Sequence, residues 1–208
     1  FLERIAPTFR NVTDVLLTGI SAGGFGVAYN SVLVQRAFPN LKVKVIIDSA
    51  PFVSAQVFTP CDQVRTRTML AAESTFLADC GVDCPNPNDY WSDFGLFLAK
   101  TFADRPTGLI SASEDAVERA FFGIGVDDCS AALDLVNPGI TAASFRSELL
   151  AYRASLDRYP NASTFYVDAD THTFIAFDEF YTTRAGGIRL VDWFARIVNG
   201  DSPGHAGP

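Results

Sequence analysis

Ser21 lies at the centre of a Gly-x-Ser-x-Gly pattern that runs from Gly19 to Gly23. An apolar, strand-like run precedes the pattern and a helix-like run follows it. This setting is typical of a nucleophile elbow, a tight strand-to-helix turn that presents a serine hydroxyl above the end of a sheet. The following helix would direct its free N-terminal amides at the same place, so the amide of Ala22 is the candidate oxyanion donor. The alternative is a glycine-rich turn whose serine has no chemical role.

A serine nucleophile needs a base within hydrogen-bond reach, and the chain has two histidines. His205 lies in a Gly- and Pro-rich tail, which we predict to be disordered and unable to hold a catalytic ring. His172 follows a predicted strand, in a loop that would deliver it over the sheet. By elimination and by position, His172 is the predicted base.

The acid that would orient the histidine has several candidates. Asp115 follows a predicted strand and gives the chain order Ser, Asp, His that is typical of α/β-hydrolases. Asp48 ends the strand after the elbow helix, where it could reach the site or fix loop backbone through its carboxylate. Glu114 is a further candidate, whereas Asp168 and Asp170 are close to the histidine mainly in sequence. We predict Asp115.

The elements that must position these residues alternate between strands and helices, which predicts an α/β fold with a mostly parallel sheet flanked by helices. Strands are predicted at 14–18, 43–47, 107–112 and 163–167. Helices are predicted at 4–10, 22–38, about 62–78 and 188–198. Two further helices are predicted to begin at 89, with Asn88 as the cap, and at 141, with Thr141 as the cap.

The sequence predicts a single domain over residues 1–201. Residues 52–105 differ in character, with three cysteines, a Pro-rich loop and two helical patterns. This segment could form a cap over the carboxyl ends of the strands, or an ordinary helical crossover on one face of the sheet. Residues 202–208 are predicted to be a disordered tail.

Composition excludes several classes of partner. The 208 residues carry a net charge of −8, and a hydrophobic fraction of 48% indicates a packed core. The acidic balance gives no electrostatic footprint for nucleic acid or for an anionic membrane surface. No apolar stretch approaches the roughly 18 residues that a membrane span needs. The oligomeric state cannot be inferred from the sequence.

Four cysteines form an even set, which we interpret as disulfides of a secreted or periplasmic protein. Three pairings are possible, and the sequence does not separate them. Zinc is disfavoured, because no second close Cys/His pair accompanies the two cysteines with x3 spacing. Reduced structural thiols are the alternative. The cysteines are Cys61, Cys80, Cys84 and Cys129.

Two sequons for N-glycosylation begin at Asn11 and Asn161. Such short patterns are common by chance, and they matter only in a eukaryotic secreted protein.

Residues 15–26 and 43–52 resemble the pectin acetylesterase family, which includes the Notum-type carboxylesterases that remove lipid from signalling proteins. The family carries a Gly-Cys-Ser-Ala-Gly-Gly elbow, matched here by Gly19-Ile20-Ser21-Ala22-Gly23-Gly24. Residues 109–118 are similar to the family's strand and loop that supply the triad Asp, which falls on Asp115. Residues 170–173 are similar to the loop that supplies its His, which falls on His172. The resemblance implies an α/β-hydrolase fold and these two triad partners.

Two departures from the family stand out. Ile20 replaces the usual Cys before the nucleophile, which suggests that one family disulfide or thiol contact is missing. A Gly-Gly-Gly-Trp-type segment, which donates oxyanion-hole amides well upstream of the elbow in the family, has no counterpart. We therefore expect the chain to be the C-terminal part of a larger polypeptide that lacks the first strands of the sheet.

Together these observations predict a serine carboxylic-ester hydrolase with Ser21 as nucleophile, His172 as base and Asp115 as acid. The family resemblance suggests O-acetyl groups on a polysaccharide as the substrate, or a related acyl ester, and no metal or organic cofactor is needed. Two other classes stay open. One is a non-catalytic relative that binds a glycan or a protein, and the other is a lipase- or peptidase-type serine hydrolase.

Overall fold

The computed structural model describes residues 1–9, 11–124, 129 and 139–208, and it builds an α/β fold. In chain order, the elements are α1 (Leu2–Thr8), β1 (Leu16–Ile20), α2 (Ala22–Ala37), β2 (Lys44–Asp48), α3 (Pro60–Met69), α4 (Phe76–Cys80), α5 (Tyr90–Thr101), β3 (Thr107–Ala112), α6 (Ala116–Phe122), α7 (Ala142–Leu156), β4 (Ala162–Val167), α8 (Glu179–Thr182), β5 (Arg184–Ala185), β6 (Ile188–Arg189) and α9 (Leu190–Val198). Short 3₁₀ turns flank α4, at Ala72–Ser74 and Gly81–Asp83.

The first four strands form one parallel sheet in the order β1-β2-β3-β4. This confirms the predicted α/β class and a parallel sheet flanked by helices. In this order each crossover moves one place in the same direction, so the connecting helices share one face of the sheet. All four carboxyl ends lie at one edge, with Ile20 beside Asp48, Asp48 beside Ile110, and Ala112 beside Val167.

Side chains alternate between two buried faces along β2, as expected for a strand covered on both sides. Val45 and Ile47 belong to a large cluster with side chains of α2, α5 and α7. Ile46 joins a second cluster, which contains Trp193 of α9. Helices therefore cover the sheet on both faces, and the larger core lies on the face of the crossovers.

Most predicted elements have counterparts within two residues, but the helix predicted over 62–78 is wrong. Ala71 adopts a left-handed conformation with φ 49°, which ends α3 and separates it from α4. The prediction that Asn88 caps α5 is also wrong, because Asp89 is the N-cap residue and its carboxylate accepts from the amide of Ala55.

The helices of segment 52–105 occupy two different places in the fold. The helix α5 packs in the larger core through Trp91 and Phe94, as a crossover helix does. The helix α3 lies nearer the carboxyl ends of the strands, where it forms one wall of a cavity described below.

The tail 202–208 was expected to be disordered, but the structure packs it against β4. The amide of Tyr166 donates to the carbonyl of Ala206, and the amide of Ala206 donates to the carbonyl of Thr164. The indole of Trp193 also donates to the carbonyl of Gly204, at 3.0 Å. A strand at the edge of a sheet has unpaired backbone groups, and the tail satisfies those of β4.

Two disulfides are present, between Cys61 and Cys129 and between Cys80 and Cys84. The first spans 68 residues of sequence and fixes the start of α3 to residue 129. The second closes a short loop after α4. This selects one of the three pairings that the sequence left open.

Asn161 is a buried structural residue in the turn before β4, which makes its sequon inaccessible in the folded protein. Its Nδ2 donates to the carbonyls of Ala99 and Phe102, at 2.9 and 3.1 Å. We expect Asn161→Ala to lower the free energy of unfolding by about 2 kcal/mol, because two buried carbonyls lose their donor. Asn11→Ala, at the exposed sequon, should change it by less than about 0.5 kcal/mol. Urea denaturation of both variants checks this, and equal effects would contradict it.

Candidate active site

The carboxyl ends of the four parallel strands bring the candidate residues to one edge of the sheet. Ser21 follows β1, Asp48 ends β2, Asp115 follows β3, and His172 lies in the loop after β4. In open parallel sheets this edge is where ligands bind. The structure thus gathers residues from four separate stretches of sequence.

Ser21 occupies a strained turn between β1 and α2, with φ 51° and ψ −126°. For a residue other than glycine, such a conformation costs on the order of 1–3 kcal/mol and persists only when its surroundings impose it. The amide of Ser21 donates to the carbonyl of Asp48 at 2.9 Å, which fixes the turn to the neighbouring strand. Ala22 is the first residue of α2, so its amide has no acceptor within the helix.

Two glycines allow α2 to approach the sheet closely. A Cβ at Gly19 would lie 2.5 Å from the carbonyl oxygen of Gly23, and a Cβ at Gly24 would lie 2.9 Å from Ala50 Cβ. A Cβ at Gly23 would meet nothing within 4 Å. Close packing of the elbow therefore requires Gly19 and Gly24, and the second glycine of the five-residue pattern is not needed for space.

Asp115 serves two elements at once. Its Oδ1 caps α6 by accepting from the amides of Val117 and Glu118, each at 3.0 Å. Its Oδ2 lies 2.8 Å from Nδ1 of His172. The side chain is fully buried, so the carboxylate has a single orientation fixed by three donors. With Nδ1 carrying the proton, Nε2 of the ring keeps its lone pair for a substrate or nucleophile.

Backbone hydrogen bonds hold the loops after β3 and β4 side by side. The amides of Ser113, Glu114 and Ala116 donate to the carbonyls of Val167, Ala169 and Asp170, respectively. These bonds continue the pairing of β3 with β4 past the ends of the strands. As a result, Asp115 and His172 are fixed relative to each other by main-chain hydrogen bonds as well as by their own contact.

Asp48 anchors the residues that follow His172. Its Oδ2 accepts from the amides of Phe174 and Ile175, at 2.7 and 2.8 Å. Ser49 assists, because its Oγ donates to Asp48 Oδ1 and accepts from the amide of Thr173. Burial raises the pKa of Asp48 above its usual range, and the two amides oppose that shift by stabilising the carboxylate. Asp48 therefore fixes loop backbone and is not the acid on the ring.

The remaining candidate acids have other partners. Asp168 accepts from Ser113 Oγ and pairs with Arg146, and Glu114 lies 4.0 Å from the same guanidinium. His205 is held in the structure, but its Nδ1 contacts Thr164 in the middle of β4, and burial lowers the pKa of His205.

The ring of His172 contacts Asp115 after β3, and the amide of the next residue, Thr173, donates to Ser49 Oγ after β2. Within the described residues, no hydrogen bond joins Ser21 Oγ to the ring. Catalytic hydrogen bonds are often long in structures without substrate, so the shared edge and the free Nε2 are the relevant geometry.

A cavity of about 400 Å³ opens beside Ser21. Its wall is mainly apolar and comes from three helices: α2 contributes Phe25, α3 contributes Met69, and α6 contributes Val117 and Phe121. The ring of Phe25 also contacts those of Trp91 and Phe121, with centroids 5.3 and 5.5 Å apart. The wall of the cavity is therefore continuous with the aromatic part of the core.

Two acidic side chains on this cavity were missed by the sequence analysis. Glu118 is 2% exposed, and burial, together with the charges of Asp115 and Asp48, raises its pKa well above the usual range. Asp62 on α3 is 5% exposed, and burial raises its pKa, an effect that the nearby Arg65 opposes. The spacing of Glu118 from Asp115 was a visible signal, but its burial depends on packing between distant elements.

Two searches over the described part of the chain gave negative results. No group of three or more His, Cys, Asp and Glu side chains there is placed to hold a metal ion. None of the helices there is long and apolar enough to cross a membrane.

Comparison with protein-family models and with curated proteins found no match to this chain. The class that the structure defines is an α/β protein with a four-stranded parallel sheet, and the resemblance to the pectin acetylesterase family stays a prediction.

Removing the Asp48 carboxylate should release the histidine loop. We expect Asp48→Ala to lower the free energy of unfolding by about 3 kcal/mol, because two amides lose a buried acceptor. Asp168→Ala, in the same region but at an exposed ion pair, should cost less than about 1 kcal/mol. Urea denaturation compares the two, and a small effect of Asp48→Ala would show that the anchor is dispensable.

Proposed function

We propose that this protein is a serine carboxylic-ester hydrolase of the α/β-hydrolase type, with Ser21, His172 and Asp115 as its triad. The observation that carries the proposal is the 2.8 Å contact between His172 and Asp115, at the same sheet edge as the strained turn of Ser21. The chain order Ser, Asp, His and a helix starting directly after the serine also support it.

Acyl transfer to Ser21 Oγ begins the proposed reaction. Nε2 of His172 accepts the hydroxyl proton as Oγ attacks the ester carbonyl, and the imidazolium is stabilised by Asp115. The same proton then passes to the departing alcohol, which leaves an acyl-serine. In the second half, Nε2 takes a proton from water, hydroxide attacks the acyl group, and the proton returns to Ser21.

The backbone amide of Ala22 is the proposed donor to the oxyanion that forms in both halves. It stands at the N-terminus of the 16-residue helix α2, whose dipole favours negative charge at that position. One such donor is commonly worth 10²–10³ in turnover.

The cavity favours an acyl group larger than acetyl. At about 400 Å³, it falls in the range of pockets that hold drug-sized ligands. Its wall is mainly apolar, so an alkyl chain attached to Ser21 would bury its surface there. Medium- or long-chain esters are therefore the second candidate substrate class, beside the acetylated polysaccharide that the family resemblance suggests.

An extracytoplasmic location is part of the proposal. The two disulfides support it, since such bonds form and persist mainly in secreted or periplasmic proteins.

A fluorophosphonate probe should label the protein covalently at Ser21, because the probe reacts with activated serine hydroxyls. Labelling should be lost in Ser21→Ala and slowed by at least about 10³-fold in His172→Ala, which lacks the base. Ser74→Ala, at an exposed serine bonded to Ala71, is the matched control and should label like the native protein. Labelling that survives in Ser21→Ala would overturn the assignment of the nucleophile.

Hydrolysis of p-nitrophenyl esters should rise with acyl length until the cavity is filled. Each buried methylene is worth about 0.8 kcal/mol, which predicts a roughly fourfold gain in kcat/KM per carbon. Val117→Phe should move the optimum to shorter chains, because its ring would occupy the cavity. Val82→Phe, at a side chain 93% exposed, should leave the profile in place. A flat or acetyl-selective native profile would eliminate the second candidate.

A further inference from the structure

Glu118 is a buried acid with no assigned role in the triad. It lies on the wall of the Ser21 cavity, and its Oε2 has no hydrogen-bond partner within the described part of the chain. A buried polar atom without a hydrogen-bond partner is destabilising, so its presence here requires an explanation.

The local sequence would allow the carboxylate of Glu118 to accept a hydrogen bond from the backbone amide of Asp115, but this bond is not present among the described residues. In a capping box, the residue three places after the N-cap accepts from the amide of the N-cap residue. Asp115 is the N-cap of α6, but no bond from its amide to Glu118 is present among the described residues. Only the reciprocal contact forms, from the amide of Glu118 to Asp115 Oδ1. Glu118 instead lies in the lining of the cavity with its Oε2 buried.

Within the described part of the chain, no salt bridge joins the Glu118 carboxyl group to a cation. Asp115 and Asp48 are the carboxylates whose charges act on it, and Asp115 in turn contacts His172. On α3, Arg65 is directed to Asp62, at 3.7 Å, and to the carbonyl of Cys129.

On α6 itself, Arg119 donates to the carbonyls of Glu114 and Ile140. An ionised Glu118 would therefore add an unpaired negative charge beside two others in a buried site, which is strongly unfavourable.

We propose that Glu118 is a positioning residue held as an uncharged acid, and that loss of its proton sets the alkaline limit of ester hydrolysis. The catalytic part of this inference rests on the proposed function. While Glu118 is neutral, it adds no charge beside Asp115 and His172. Once Glu118 is ionised, its negative charge on the cavity wall opposes the negative oxyanion and slows acylation.

The first test is the pH dependence of kcat/KM between about pH 5 and pH 10. The native protein should lose activity on the alkaline side, about tenfold per pH unit, as Glu118 ionises. Glu118→Gln stays neutral, so it should retain activity within about tenfold at neutral pH and exceed the native protein by at least about tenfold at alkaline pH. Asp62→Asn is the matched control, because Asp62 lines the same cavity without touching Asp115, and it should keep the alkaline fall.

A second test does not depend on catalysis. A carboxyl whose pKa is raised by folding binds more protons in the native state, so its contribution to stability declines as pH rises above the usual value of about 4.3. The melting temperature of Glu118→Gln, relative to the native protein, should therefore rise by at least about 2 °C between mildly acidic and alkaline pH. If Glu118→Gln does not fold, Glu118→Ala serves for both measurements.

Each outcome decides the proposal. An alkaline fall that persists in Glu118→Gln, that disappears in Asp62→Asn, or that is absent from the native protein overturns the role of Glu118. A melting-temperature difference that does not change with pH shows that the residue is not held neutral. If no ester is cleaved while that difference does change with pH, the proposed function has failed and the charge state of Glu118 still stands.

Discussion

The buried carboxylate of Asp48 is the constraint on which the candidate site depends. Its side chain accepts two amides from the loop after His172, while its main-chain carbonyl accepts the amide of Ser21. One residue at the end of β2 thus links the turn of Ser21 on one side to the loop of His172 on the other. Because Asp48 is fully buried, neither link competes with water.

The regular elements were largely predictable because they depend on local patterns. Apolar runs located the four parallel strands, and the turn from β1 to α2 followed from its glycines. Asp115 was predicted from its place after a strand and from the chain order Ser, Asp, His, whereas its second role as the cap of α6 is seen only in the structure. Ala71 was not foreseeable, since its left-handed conformation is imposed by the packing of α3 and α4 and not by its side chain.

What the sequence left undetermined depends on contacts between distant residues. The bond between Cys61 and Cys129 spans 68 positions, and the burial of Glu118 requires α6, α2 and α3 to meet at one cavity. The tail 202–208 has the composition of a disordered segment, yet its backbone fits the open edge of β4. For the same reason, the role of Asp48 as an anchor became clear only when its two amide donors were located.

Three of the four non-glycine residues with positive φ in the described chain lie at the candidate site: Ser21, Ser49 and Thr173. Each stores on the order of 1–3 kcal/mol, against a net stability of about 5–15 kcal/mol for a typical domain. The packing and hydrogen bonds around the site must therefore impose these conformations. It follows that the site has little tolerance for genetic change elsewhere: a core substitution too mild to unfold the protein could still let one of the three residues relax. The packing contacts that make the fold tolerant of mutation would then be the same contacts that hold the strained residues of the site in place.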